Sequence, residues 1–211
     1  MELNGSEQMC DSLHEIFNAL PRYTWESISD IPFNSGIYMV FEKGEKYDGF
    51  DRVVRVGTHV GDSRLKKRLN SHFVKENKDR SIFRKNVGKA MLNKDGDPYL
   101  EVWSLNSAKK ENAACIDQNR QVEIEKCVSE YMRSTFSFAV FEVEDKEERL
   151  RLEEGIIATL NSSAKFVPSP EWKGLYSPEK KIRTSGMWLK QGLNGTPLSD
   201  NELLRIEELL R

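Results

Sequence analysis

The chain has 211 residues, 38% hydrophobic and 31% charged, with a formal net charge of −2: enough apolar material for one sizeable core with additions, and no overall basic character. No stretch of 18 or more apolar residues exists, and Met1 to Asp11 has neither a basic n-region nor an apolar h-region, so neither a membrane span nor a secretory signal is expected and the location is read as cytoplasmic. Cys10, Cys115 and Cys127 form no CxxC pattern and the only imidazoles are His14, His59 and His72, which excludes a disulfide framework and a thiolate or histidine-rich metal centre; any metal should be a hard, oxygen-ligated ion.

In chain order, Met9, Leu13, Phe17 and Leu20 fall at helical spacing and Pro21 stops the run, which predicts an amphipathic leading helix over 6–20. SGIYMVFE and RVVRVG are β-rich runs joined by the polar loop KGEKYDGFD, and read as a hairpin with a loop of about nine residues. Ser63 is placed to cap a helix whose Leu65, Leu69 and Phe73 form one apolar stripe. A second helix is expected over Ser81 to Leu92, a short strand at YLEVW, a helix over Gln121 to Met132, and a strand at Phe136 to Val143. A charged helix follows from Lys146 to Leu160. Prolines 168, 170 and 178 mark an irregular connection, KIRTSGMWL reads as extended, and the terminal helix SDNELLRIEELL opens on a capping box, Ser199 with Glu202.

Charge is unevenly distributed along this order. Between Arg64 and Lys94 there are eleven basic residues against two acidic ones, a net of +9, so the rest of the chain carries about −11. On the basic helix Arg64, Arg68 and His72 recur every four residues and share a face beside the apolar stripe, where a guanidinium can offer a phosphate a forked pair of hydrogen bonds. On the acidic helix Leu152, Ile156, Ile157 and Leu160 mark the buried side and Glu153 lies at its edge, where restricted rotamers suit a carboxylate to hold a cation. Tyr38 stands on the first strand beside Gly36.

Taken in order, Gly36-Ile37-Tyr38, Arg55-Val56-Gly57, Arg68 with His72 in LKKRLNSHF, and Glu153 in RLEEGIIATLN resemble the GIY-YIG nucleases, over roughly Ser35 to Lys165. The resemblance implies an α+β fold, a small three-stranded antiparallel sheet flanked by helices. To it the chain adds an N-terminal helical extension (1–34), a helical insertion in the 35–165 domain (about 94–135) and a C-terminal extension (166–211) ending in a helix. It also implies a metal-dependent endonuclease acting on DNA: Glu153 holding one Mg²⁺ or Mn²⁺, Tyr38 positioning or deprotonating the attacking water, and Arg68 binding the scissile phosphate. His72 then orients water or protonates a leaving group.

The chain departs from the family pattern at three places. Arg55 stands where the second motif has tyrosine and is expected to contact phosphate; Lys165, twelve residues past Glu153, replaces an asparagine, with Asn161 nearby; and the segment from Lys94 to Phe136 is long. The alternative is a catalytically impaired nucleic-acid-binding module of the same fold. Arg64, Lys67, Arg84, Lys85 and Lys89 are expected to track the nucleic-acid backbone. His59 reads as a surface histidine, and Trp103, Trp172 and Trp188 as packing residues.

Overall fold

The computed structural model describes residues 5–211. Its hairpin is longer than the two β-rich runs suggest. β1 (Gly36–Tyr47) and β2 (Phe50–Gly57) continue through most of the expected loop and turn on Asp48 and Gly49, whose φ angles are 46° and 89°. Two successive left-handed residues match the right-handed twist of the flanking strands, and Asp-Gly adopts them at little cost. β3 (Phe136–Glu142) pairs with the other edge of β1, giving an antiparallel sheet of order β2-β1-β3.

Central β1 is buried on both faces, which is why its sequence is an unbroken apolar run instead of an alternating one. Tyr38, Val40, Phe138 and Val140 pack against α2 (Leu65–Phe73), α3 (Ile82–Lys94) and α5 (Gln118–Thr135) through Leu69, Phe73, Phe83, Val87, Val128 and Met132. Ile37, Met39, Phe41 and Phe141 pack against α1 (Gly5–Ala19) and α6 (Lys146–Ser162) through Leu13, Phe17, Leu152 and Ile156. Each such side chain contributes about 1.5–3 kcal/mol on burial. The result is a helix–sheet–helix sandwich whose middle strand carries the first motif.

Three local expectations are corrected. YLEVW is not a strand but α4 (Tyr99–Ser104), because Asp97 caps the turn (Tyr99 N–H to Oδ1, 2.8 Å) and Trp103 docks into α3 at Gly88, where a Cβ would stand 2.6 Å from the indole. KIRTSGMWL begins as α7 (Lys180–Ser185), ends at left-handed Gly186, and only then runs beside β2, with Trp188 N–H donating to Val54 O at 2.7 Å. Ser63 does not cap α2: its φ is 52° and Arg64 occupies the N-cap position.

The last helix, α8 (Asp200–Leu209), has the Ser199–Glu202 capping box and buries Ile206 against the α1 and α6 side. Among the described residues no helix is long and apolar enough to cross a membrane.

Candidate active site

Antiparallel pairing places the two motifs opposite each other. Tyr38 is in register with Gly57 and Val40 with Arg55, so Tyr38 and Arg55 project from the same face of the hairpin. Val54 is skipped in the pairing between Val40 and Phe41, a bulge that lets both Val53 and Val56 face the other core. A Cβ on Gly57 would lie 2.3 Å from the Tyr38 hydroxyl, so the tyrosine ring occupies the space of the missing side chain. Gly36 has a comparable role, since a Cβ there would lie 2.2 Å from the carbonyl oxygen of Phe141.

Behind this pair α2 delivers His72. Its Nε2 lies 2.9 Å from the Tyr38 hydroxyl and its Nδ1 2.6 Å from Ser81 Oγ, which also accepts the Arg84 N–H as the N-cap of α3. Burial, reinforced by Arg55, Arg68 and Arg84, holds the His72 pKa well below the usual imidazole range, so the ring is neutral, with one nitrogen donating and the other accepting. His72 is fully enclosed and both its nitrogens are engaged. Its side chain therefore sits behind Tyr38, enclosed between that hydroxyl and Ser81.

Glu153 reaches the same region from α6. Its Oε1 accepts the Thr58 N–H at 3.0 Å, and Thr58 Oγ1 donates to Gly36 O at 2.8 Å, so a single residue after the second motif ties the glutamate to the start of the first. Burial raises the Glu153 pKa; Arg55, the Thr58 amide, Arg68 and Arg149 oppose the shift without cancelling it. The adjacent Glu154 is exposed and lines the same cleft, but only Glu153 is tied to Thr58. Of the neighbouring arginines, Arg149 donates through Nη1 to the carbonyls of Val143 and Glu144 while its Nε and Nη2 have no partner among the described residues, and Arg151 pairs with Glu202.

Two depressions flank Glu153. One, of about 260 Å³, is lined by Thr58, Arg64, Lys67 and Arg68, and the other, of about 580 Å³, by Arg55, Asn86, Glu153 and Lys190. The GIY-YIG domain family matches residues 15–209, nearly the whole chain. The chain belongs to the GIY-YIG family. Comparison with curated proteins and with solved structures gives no match. Membership implies a nuclease-type fold and a nucleic-acid substrate, and GIY-YIG nucleases typically use divalent metals.

The donor set fits a hard ion of that kind. Among the described residues no three His, Cys, Asp or Glu side chains cluster. A fully protein-ligated ion therefore does not suit the site, whereas a magnesium-like ion takes one or two carboxylates and completes its shell with water and phosphate. Glu153 offers one such carboxylate, with only one oxygen bonded to the protein.

The GIY-YIG frame also sorts the basic residues. Arg64 and Lys67 are exposed on α2 and Arg68 is half-buried beside them. Arg84 corrects the expected backbone track: it is fully buried, with Nη2 2.8 Å from Glu125 Oε2 and further bonds to Ser129 and the His72 carbonyl. Lys85 lies against Asp79 at 3.5 Å and Lys89 against Glu179 at 2.9 Å. Arg84, Lys85 and Lys89 of α3 are thus each matched by a carboxylate, from α5, from the turn just before α3 and from the segment preceding α7 respectively.

The remaining residues divide between those that land elsewhere than expected and the tryptophans, which pack as expected. Arg55 is buried: its Nη1 donates to Trp188 O, its guanidinium lies 5.0 Å from the Phe83 ring, and its Nε has no partner. His59 is buried, not on the surface; its Nε2 accepts the Gly36 N–H at 3.2 Å and its Nδ1 donates to Gly61 O at 2.7 Å, pinning the loop after β2. Lys165 lies 3.8 Å from Asp11, and Asn161 donates to Leu193 O. Trp103, Trp172 and Trp188 are all core residues. Thr58 and Ser81 were missed by sequence reasoning: Thr58 had only its place after the glycine to mark it, and Ser81 its position at a helix start.

Proposed function

We propose that this GIY-YIG protein is a divalent-metal-dependent endonuclease that hydrolyses DNA phosphodiester bonds. The observation that carries the reading is the convergence on Glu153: a carboxylate kept at the wall of a cleft by Thr58, with Arg55 and Arg68 close enough to act on its charge. Glu153 would hold Mg²⁺ or Mn²⁺, which when bound supplies Lewis-acid stabilisation of charge on the phosphate oxygens. Arg68, with Arg64 and Lys67, binds the phosphate and offsets the charge that grows during in-line attack by water. Tyr38 fixes the geometry at the floor of the site, with its hydroxyl held by His72 and its ring packed over Gly57. The neutral, low-pKa His72 acts there as a hydrogen-bond partner and not as a store of protons.

Nicking of a supercoiled plasmid with Mg²⁺ or Mn²⁺ tests the reading. Wild type should cleave, and Glu153→Ala and Arg68→Ala should each lose about 10²–10³-fold in rate. No cleavage by wild type, or equal cleavage by Glu153→Ala, refutes it. The enclosure of the Tyr38 and His72 side chains and the arginine at position 55 support one second reading, a module that binds nucleic acid without cutting it. Salt-sensitive binding with no metal-dependent turnover would establish that instead.

A further inference from the structure

The loop that joins β2 to α2 carries an apolar side chain where its surroundings are cationic. Val60 is 87% exposed, the most open of the large apolar side chains among the described residues, and it stands on the rim of the groove lined by Arg64, Lys67 and Arg68. A lone exposed valine is common on any surface; Val60 differs in how its backbone is held and in what lies beside it.

The chain on both sides of Val60 is tied to the segment that starts β1. Before it, Thr58 Oγ1 donates to Gly36 O at 2.8 Å and His59 Nε2 accepts the Gly36 N–H at 3.2 Å. After it, the Ser63 N–H donates to Ser35 Oγ at 3.3 Å and the Leu65 N–H to Asn34 O at 2.9 Å. Between these ties the chain turns through Gly61 (φ 81°) and Ser63 (φ 52°), and a left-handed serine persists only where its surroundings over-determine it. His59 Nδ1, donating to Gly61 O at 2.7 Å, closes the turn around Val60. The loop thus presents two methyl groups to solvent from a backbone fixed in advance, so little ordering remains to be done when a ligand covers them.

A DNA strand alternates charged phosphates with apolar deoxyribose edges, and thymine adds a methyl group in the major groove. The groove offers the matching arrangement, three cations and one aliphatic tip around a depression of about 260 Å³. A phosphate against Arg64 and Arg68 brings the nucleotide bonded to it to the rim. We propose that Val60 packs on the apolar edge of that nucleotide, a substrate contact that adds a salt-independent component to DNA binding. The inference rests on the reading of this groove as the phosphate site of a DNA nuclease. Cations release counterions when they meet phosphate, so their share of the affinity falls as salt rises; covering two methyl groups releases none.

The test is binding of a fluorescein-labelled DNA duplex in EDTA, followed by anisotropy over a series of salt concentrations. Val60→Ala should bind roughly four- to fifteen-fold more weakly, the factor for losing two methyl groups that are half to fully covered. Its Tm should be unchanged, because the side chain is exposed. Its plot of log K against log salt should run parallel to that of wild type, whereas Arg64→Ala should give a shallower slope. Val60→Leu, which keeps an apolar tip, should bind as wild type does. Val122→Ala, at a half-exposed position of α5 that lines neither depression, should also bind as wild type and controls for the loss of an exposed valine elsewhere. A second duplex with uracil in place of thymine locates the contact: an equal loss on both assigns the deoxyribose edge, and a loss confined to the thymine duplex assigns the methyl group. Wild-type affinity in Val60→Ala, or a loss that comes with a changed slope, overturns the proposal. If Arg64→Ala and Arg68→Ala bind as wild type does, the phosphate groove is refuted and the contact with it; if they weaken binding and Val60→Ala does not, only the contact is lost. Binding in EDTA needs no turnover, so the inference is decided separately from catalysis.

Discussion

Adding one methyl group at Gly57 tests whether the pairing of the two motifs determines the position of Tyr38. In Gly57→Ala the new Cβ would stand 2.3 Å from the Tyr38 hydroxyl oxygen and 2.4 Å from Cζ, and both are buried. Ordinary carbon contacts need about 3.5 Å, so the ring must move by about 1 Å. It cannot do so while keeping its 2.9 Å hydrogen bond to His72 Nε2. Overpacking costs about 1–3 kcal/mol and an unpaired buried partner about 1–3 kcal/mol, together roughly 2–6 kcal/mol. For a chain of this length each kcal/mol shifts Tm by about 2–4 °C, so a loss of roughly 4–24 °C is expected. Differential scanning calorimetry and urea unfolding measure it. Tyr38→Phe, which removes only the hydroxyl, should cost about 1–3 kcal/mol. Gly5→Ala, where a Cβ meets nothing within 4 Å, is the control and should be near neutral. A Gly57→Ala protein within about 0.5 kcal/mol of wild type would refute the assigned packing.

Other consequences follow from the buried charges and the basic groove. Arg84→Met should destabilise by about 3–5 kcal/mol, because it leaves Glu125 buried and unpaired, and Arg84→Met with Glu125→Leu should recover much of that in urea titrations. Arg64→Ala and Lys67→Ala should each lower the slope of log K against log salt for DNA binding by about 0.9, whereas Lys89→Ala, which removes one of the two lysines paired with Glu179, should leave that slope nearly unchanged. His14 is buried and its pKa is lowered to about 4, chiefly by desolvation, so the unfolded chain takes up a proton that the folded chain refuses. Its contribution is therefore fully present above about pH 6.5 and lost as pH falls through about 4, a change of about 3 kcal/mol. Urea stability measured from pH 7 to pH 4 should show that loss, and His14→Gln should flatten the curve.

The fold was legible where periodicity was strong. The stripes of α2 and α6, the strand at Phe136 and the Ser199 capping box could all be read from spacing alone. The hairpin turn was also written in the chain, as Asp48-Gly49, but the polar residues around it read as loop because one strand edge there faces solvent. YLEVW misled because its aromatic and branched residues favour strands in isolation, while packing of Trp103 on α3 selects a helix.

By itself the sequence determined the hairpin, the strand at Phe136 and the helices with strong stripes (α1, α2, α6 and α8), and the positions of Gly36, Tyr38, Gly57 and Glu153 along them, since these depend on spacing within one segment. Only the tertiary structure decided which cations remain available and which histidines are enclosed. Arg64 and Arg84 look alike in a basic run, yet one lies in an open groove and the other against Glu125, 41 residues away. Local periodicity records that a side of an element is covered but not which distant side chain covers it, and partner identity determines whether a charge binds a ligand or holds the core together.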